Sequence, residues 1–167
     1  MLSNITSQNL VFRHFIKNDL EDAISLFTNE AVTKMITGKP TRLEVAEEKF
    51  EKMLVHNKQA ANLGWFHVSL KENKNFIGLG KVIRTEKAEA EIGYSMLPQF
   101  WRKGYGTEIS YTMVQIAKQA KGLKQLIALI DPNNIASKKI LASCGFQFES
   151  KGKWKGLPSE TYRLFIE

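Results

Sequence analysis

Two short segments carry residue types that chemistry uses. Trp101-Arg102-Lys103-Gly104-Tyr105-Gly106-Thr107-Glu108 sets two glycines and two cations where a helical pattern begins. The first turn of a helix leaves backbone N–H groups unpaired and carries a partial positive charge. Glycines there let a ligand approach the backbone without interference from Cβ, and such a site binds phosphate readily. Arg102 and Lys103 add side-chain charge. The segment lacks the longer spacing and Lys-Ser/Thr pair of a Walker A loop, and the third glycine of a dinucleotide fingerprint. Taken alone, a helix start that merely needs flexible residues reads the same way. The second segment runs from Asn134 through Ser137 to Gly145-Phe146. Alone, Asn134 reads as a helix cap, Ser137 as a first-turn polar residue and Gly145 as a left-handed C-cap.

These segments need elements to position them. Leu10–Phe15 reads as a strand, followed by a helix over about 19–29 with Asn18 as cap and Glu21 at capping-box spacing. Thr33–Lys39 reads as a loop. A second helix starts near Thr41, with Leu43, Ala46, Phe50, Met53 and Leu54 on one face. Phe66–Leu70, Phe76–Ile83 and Ala90–Leu97 read as three consecutive strands, most simply an antiparallel meander; Gly78 and Gly80 inside the second mark a bulge or a close backbone approach. The helix opened at Gly104 and Gly106 carries Ile109, Met113, Ile116 and Ala120, with Gly122 as its terminator. A buried strand over 123–130, a helix over 134–144 and strands at 146–149 and 161–166 complete the order β-α-α-β-β-β-α-β-α-β-β. That is a mixed α/β sheet with helices on its faces, and not the repeated βαβ of a Rossmann domain.

Composition narrows the class. The 167 residues fit one domain spanning 1–167, and 43% hydrophobic with 25% charged residues is ordinary for a globular chain. No apolar run reaches the length of a membrane span, and the N-terminus lacks the pattern of a signal peptide. The single cysteine, Cys144, forms no internal disulfide and suits a reducing cytoplasm. His14, His56 and His67 are scattered without metal-ligand spacing, so no metal is expected. The net charge of +7 suits an anionic partner, but no basic helix or basic stretch interleaved with aromatics points to direct nucleic-acid binding.

Taken together, the two segments resemble the GCN5-related N-acetyltransferase (GNAT) superfamily over nearly the whole chain. Trp101-Arg102-Lys103-Gly104-Tyr105-Gly106 is similar to the family's Gln/Arg-x-x-Gly-x-Gly/Ala pyrophosphate loop, with Trp101 departing at the first position. The Trp-led loop, Glu91-Ile92-Gly93-Tyr94, the Asn134/Ser137/Gly145-Phe146 segment and the pairing of Leu10–Arg13 with Asp19 are similar to the ribosomal-protein N-terminal acetyltransferase branch.

The resemblance implies a splayed, mostly antiparallel sheet with helices on both faces, and acetyl-CoA as co-substrate. It implies backbone groups of Met96 and Leu97 pairing with the pantetheine arm, and amides of Arg102, Lys103, Gly104, Tyr105, Gly106 and Thr107 holding the pyrophosphate. Asn134 would bond the pantetheine or acetyl end, and Lys139 would reach toward the cofactor's phosphates. An amide near Leu97 would steady the oxyanion. Glu91 would be the general base, directly or through water, and it reads equally as a structural ion-pair partner. Many members carry a tyrosine seven residues beyond the motif's asparagine. Leu141 stands there, which leaves Ser137 to hydrogen-bond the departing thiolate. The acceptor amine would enter past Thr33–Lys39, the second helix and Lys153–Ser159, with Trp154 as platform or packing residue. The acceptor itself stays open: a peptide N-terminus such as that of a ribosomal protein, a small amine (a polyamine, amino acid or antibiotic), or no acceptor in a non-catalytic acyl-CoA sensor. Homodimers are common in this family.

Overall fold

The computed structural model describes residues 4–166. Eight strands form one sheet: β1 Ile5–Thr6, β2 Leu10–His14, β3 Gly64–Leu70, β4 Phe76–Glu86, β5 Glu89–Met96, β6 Gln125–Ile130, β7 Gln147–Trp154 and β8 Leu157–Phe165. Their spatial order is β1-β2-β3-β4-β5-β6-β8-β7. Every neighbouring pair is antiparallel except β5 and β6. The helices are α1 Leu20–Phe27, α2 Glu30–Thr33, α3 Leu43–Gln59, α4 Tyr105–Lys118 and α5 Ile135–Ser143. Among the described residues no helix is long and apolar enough to cross a membrane.

Strand alternation sends side chains to two separate cores. Phe66, Val68 and Leu70 of β3, with Leu10 and Phe12 of β2, pack under Ile109, Met113 and Ile116 of α4. On the opposite face Ala23, Leu26 and Phe27 of α1 meet Ala46, Phe50 and Met53 of α3. The apolar residues of α3 recur at helical spacing, so a single stripe faces the sheet. Asn57, one turn further on, fastens that helix to β3: its amide donates to the Trp65 carbonyl at 2.9 Å and its carbonyl accepts from the Trp65 N–H at 2.8 Å.

The antiparallel meander of β3, β4 and β5 is present as expected. Gly78 sits where a Cβ would lie 2.0 Å from the Ser95 carbonyl oxygen, a close backbone approach that only glycine allows. Several boundaries differ from expectation. A short strand at Ile5–Thr6 precedes the first one expected, and α2, capped by Asn29, shortens the loop before α3. The helix α4 stops at Lys118, and Gly122 lies in the turn beyond it with φ +83°. The last hairpin is longer, because β7 extends to Trp154 and β8 begins at Leu157.

The start of α1 is built differently from the capping box expected at Asn18. That residue lies in a 3₁₀ turn over Lys17–Asp19, and the N-cap is Asp19. Its carboxylate looks away from the helix. It accepts from the Ile16 N–H at 2.8 Å and from both arms of the Arg13 guanidinium at 2.7 and 2.9 Å. Beside it, His67 Nε2 donates to the Asp22 carboxylate at 2.9 Å and packs between the rings of Phe15 and Phe76. Burial pushes the His67 imidazole below its ordinary pKa against the opposing pull of Asp22. The Arg13 fork occupies both oxygens of Asp19, so this cluster ties β2, β3 and α1 together.

Burial alone would raise the Asp19 carboxyl; the Arg13 guanidinium and the Ile16 amide outweigh it and hold the group below the usual carboxylate range. A depressed folded-state pKa contributes stability that is present above the unfolded value and lost as pH falls through the folded one. Arg13 is 32% exposed, which keeps the pair below the roughly 3–5 kcal/mol of a fully buried one. Asp19→Asn is therefore expected to lose about 2 kcal/mol at pH 7 in urea denaturation. The gap to the parent protein should narrow below about pH 4. A gap that stays constant to pH 3 would show that the charge of Asp19 is not what stabilises this corner.

Candidate active site

Strands β5 and β6 pair in parallel over only three positions, Glu89 with Gln125, Ala90 with Leu126 and Glu91 with Ile127. Beyond Glu91, β5 continues to Met96 against β4, while β6 continues to Ile130 against β8. The sheet is open between them. Backbone groups alternate sides along an antiparallel strand. The Leu97 N–H donates to the Ile77 carbonyl at 2.8 Å, which puts the backbone groups of the odd-numbered residues toward β4 and turns those of Ile92, Tyr94 and Met96 toward the gap. The Leu97 carbonyl is also taken, by the Phe100 N–H at 3.0 Å. Leu97 thus offers no free backbone group, contrary to the expectation from sequence. Met96 offers its amide, and its carbonyl already accepts from the Trp101 indole at 2.8 Å.

The N-terminus of α4 faces this opening. Its N-cap, Gly104, has φ +85° and makes no side-chain cap bond. The first intrahelical bond runs from the Glu108 N–H to the Gly104 carbonyl at 3.2 Å. Among the described residues, the amides of Arg102 through Thr107 have no protein acceptor. Arg102 also adopts a positive φ of 61°, so the loop curls twice before the helix starts. Such a concave row of N–H groups binds anions. Arg102 and Lys103 are exposed at its rim. Gly106 is needed for proximity: a Cβ there would lie 3.0 Å from Ile140 Cδ1, 3.2 Å from the Tyr94 ring and 3.3 Å from Met96 Cε. The Glu108 carboxylate holds the first turn in place. It accepts from the Asn9 N–H at 2.7 Å, from the Asn9 amide at 3.0 Å and from the Ser7 hydroxyl, and these bonds outweigh burial to keep it below its ordinary pKa.

The second motif lies across the gap. Asn134, half-buried, caps α5 by accepting from the Ser137 N–H at 3.1 Å. Ser137 is buried, and its hydroxyl lies 3.3 Å from that of Tyr94. Burial raises the Tyr94 phenol above its ordinary pKa, with the Ser137 contact opposing the shift. The sequence marks Tyr94 only as part of the Glu91-Ile92-Gly93-Tyr94 stretch, with no role of its own. The signal available was its place in β5, two residues before Met96 on the side of the strand that packs under α4. Lys139 is exposed on α5. Leu141, in place of the family's tyrosine, is core.

On the other face of β5 is a cavity of about 380 Å³. Thr33, Met35, Ile36 and Thr37 form one wall, Lys49 of α3 another, and Trp154, Lys155, Leu157, Pro158 and Ser159 a third. Trp154 is thus a wall residue. Glu91 lines the floor and accepts from Lys81 Nζ at 2.8 Å. One carboxylate oxygen is committed to that ion pair. The Lys49 ammonium sits over the Phe27 ring, 4.2 Å from its centroid. Burial, together with the charges of Lys81 and Lys155, lowers its pKa to about 8.

Comparison with known proteins bears on the fold and the family. The chain is 26% identical over 152 residues to an uncharacterised N-acetyltransferase, YoaA, of Bacillus subtilis (strain 168), covering 89% of this chain and 85% of that one. Its fold matches RimL, a ribosomal L7/L12 α-N-protein acetyltransferase solved with coenzyme A, at a TM-score of 0.83 and 14% identity over 98% of each chain. It also matches the spermidine N-acetyltransferase of Vibrio cholerae, solved with CoA and spermine, at 0.78 and 18% identity over 95% of this chain and 96% of that one. The model of the acetyltransferase (GNAT) domain family matches residues 9–147, and the chain belongs to that family of acetyltransferases.

Proposed function

We propose that this protein transfers the acetyl group of acetyl-CoA to a primary amine. The observation that carries this reading is the open edge of β5 beside an α4 N-terminus whose amides have no partner. An extended arm suits the first and a diphosphate the second. The residues present fit coenzyme A on those grounds, and Arg102 and Lys103 at the rim add charge for its phosphates.

When bound, acetyl-CoA supplies an acetyl group activated as a thioester. The chain's residues do the rest. The amides of Arg102–Thr107 hold the diphosphate and fix how deep the thioester lies. The Met96 N–H, facing the gap, takes the stabilising role expected of Leu97 toward charge growing on the carbonyl oxygen. The acceptor arrives from the cavity on the opposite face. Glu91, through its oxygen not held by Lys81, accepts a proton from the incoming ammonium directly or through water, and passes it to solvent. The neutral amine forms the new C–N bond as the C–S bond breaks. Ser137 donates a hydrogen bond to the departing sulfur, and the Tyr94 hydroxyl holds Ser137 in place. Once the C–N bond has formed, the nitrogen loses its second proton, and that proton neutralises the released thiolate to free thiol. The cytoplasm suits this chemistry, since acetyl-CoA and a reduced Cys144 belong together there.

The acceptor amine has two supported readings. The likeness to RimL supports a peptide N-terminus. The likeness to the spermidine enzyme, and a cavity of about 380 Å³, support a small molecule.

Release of free thiol from acetyl-CoA, followed across a panel of amines and N-terminal peptides, tests the activity. Turnover on at least one acceptor is expected. Tight acetyl-CoA binding with no turnover on any would make this a sensor. Three variants test the geometry. Ser137→Ala should lower kcat roughly 10- to 100-fold with acetyl-CoA affinity nearly unchanged, and Tyr94→Phe by a smaller factor. A selective loss of affinity in Ser137→Ala would assign that hydroxyl to binding instead. Gly106→Val should weaken CoA binding about tenfold or more in calorimetry, because the new side chain pushes the helix start away from Tyr94 and Ile140. Unchanged affinity in a folded Gly106→Val protein would mean that these amides do not hold the diphosphate.

A further inference from the structure

The cavity beyond Glu91 has a charge pattern that its role as an acceptor site does not by itself require. Five charged side chains line it: Lys49 from α3, Lys81 from β4, Glu91 from β5, Asp131 after β6 and Lys155 from the β7–β8 turn. Each of the two carboxylates has one oxygen engaged. Glu91 is paired with Lys81 at 2.8 Å, and Asp131 accepts from the Asn133 N–H at 2.8 Å within its own turn. Lys155 rests over the Trp154 ring at 4.6 Å. Lys49 is the outlier. It is half-buried, its ammonium rests on the face of Phe27 at 4.2 Å, and among the described residues no carboxylate pairs with it.

A cation held in a partly apolar cavity next to two others is unfavourable unless an anion joins it. The depressed pKa of Lys49 reports the same strain, whose causes are burial first and then the charges of Lys81 and Lys155. The Phe27 ring offers only a weak substitute for a counter-ion. The remaining wall is apolar and aromatic, with Leu26, Met35, Ile36 and Trp65. A polyamine brings two or more ammonium groups and would meet an excess of lysine. An amine that also carries a carboxylate would place its nitrogen toward Glu91 and its anion against Lys49.

We propose that the acceptor is a small amine bearing a carboxylate, of the amino-acid class, and that Lys49 binds that carboxylate. This rests on the acetyl-transfer reading above and narrows its acceptor. The carboxylate has two sources, the α-carboxylate of a free amino acid and the acidic side chain of a short peptide. Both present the same group to Lys49.

The test is steady-state kinetics at saturating acetyl-CoA with matched acceptors: amino acids, their carboxamides, dipeptides with and without an acidic side chain, and spermidine. The parent protein should show kcat/KM at least tenfold higher for the carboxylate member of each pair. Preference confined to free amino acids assigns the α-carboxylate, and preference extending to acidic dipeptides assigns the side chain. Lys49→Met should erase the preference through KM, with kcat changed less than about threefold, and Lys49→Arg should keep most of it. Because Lys49→Met removes an unpaired, half-buried charge, it should fold; calorimetry with coenzyme A checks that its other site is intact. Binding of N-acetylated amino acids by calorimetry, present in the parent and lost in Lys49→Met, reads the same contact without turnover. Equal turnover of carboxylates and carboxamides, a preference for spermidine, or a preference unchanged in Lys49→Met would each overturn the proposal and leave acetyl transfer standing. No turnover on any amine despite bound acetyl-CoA would overturn both.

Discussion

Strands β5 and β6 run side by side for three residue pairs and then part, and the functional half of the molecule is organised around that parting. A strand edge with unpaired backbone groups is normally a liability, since it invites pairing with whatever extended chain is near. Here it lies in the interior of the sheet, bounded by α4 and α5 on one face and by the cavity on the other. An opening of this kind admits a narrow, extended ligand with its own amides and excludes a second sheet edge. Both motifs legible in the sequence flank it: the loop before α4 follows β5, and the cap of α5 follows β6.

The two faces of β5 divide the work. Even-numbered residues point to α4, where Tyr94 and Met96 pack against Gly106 and Tyr94 reaches Ser137. Odd-numbered residues point to the cavity, where Glu91 pairs with Lys81. A single strand thereby separates the donor side from the acceptor side, and a register slip of one residue would exchange them. The packing of β4 against β5 over eight paired positions resists that slip. Farther out, the Asp19–Arg13 pair and the Glu108 cluster fix α1 and α4 to the sheet, so that neither wall of the site depends on a loop alone.

Much of this was legible in the sequence, for local reasons. Helix and strand periods, the glycines at 104 and 106 and the Asn134–Ser137 spacing are carried by neighbouring residues, and they gave the mixed sheet and both motifs. The missing parts depend on contacts between distant segments. That Leu97 is committed follows from its register against Ile77 in another strand. The role of Trp101, whose indole reaches back to Met96, and the meeting of Tyr94 with Ser137 across the gap are of the same kind. Lys49 sits on a helix surface that reads as plain polar, and only the hairpin Trp154–Ser159, folded back more than one hundred positions along the chain, turns that surface into a cavity wall. Asn18 failed as a cap because Asp19 was claimed by Arg13 six residues earlier, on another element.

The central claim is that free amides at the start of α4, together with the open edge of β5, hold the thioester donor. Amide hydrogen exchange with and without acetyl-CoA measures those groups one by one. Protection is expected at Gly104 through Thr107 and at Met96, with the Leu97 amide, already bonded to Ile77, unchanged. Protection concentrated elsewhere, or no change at the α4 start while acetyl-CoA is demonstrably bound, would contradict the account.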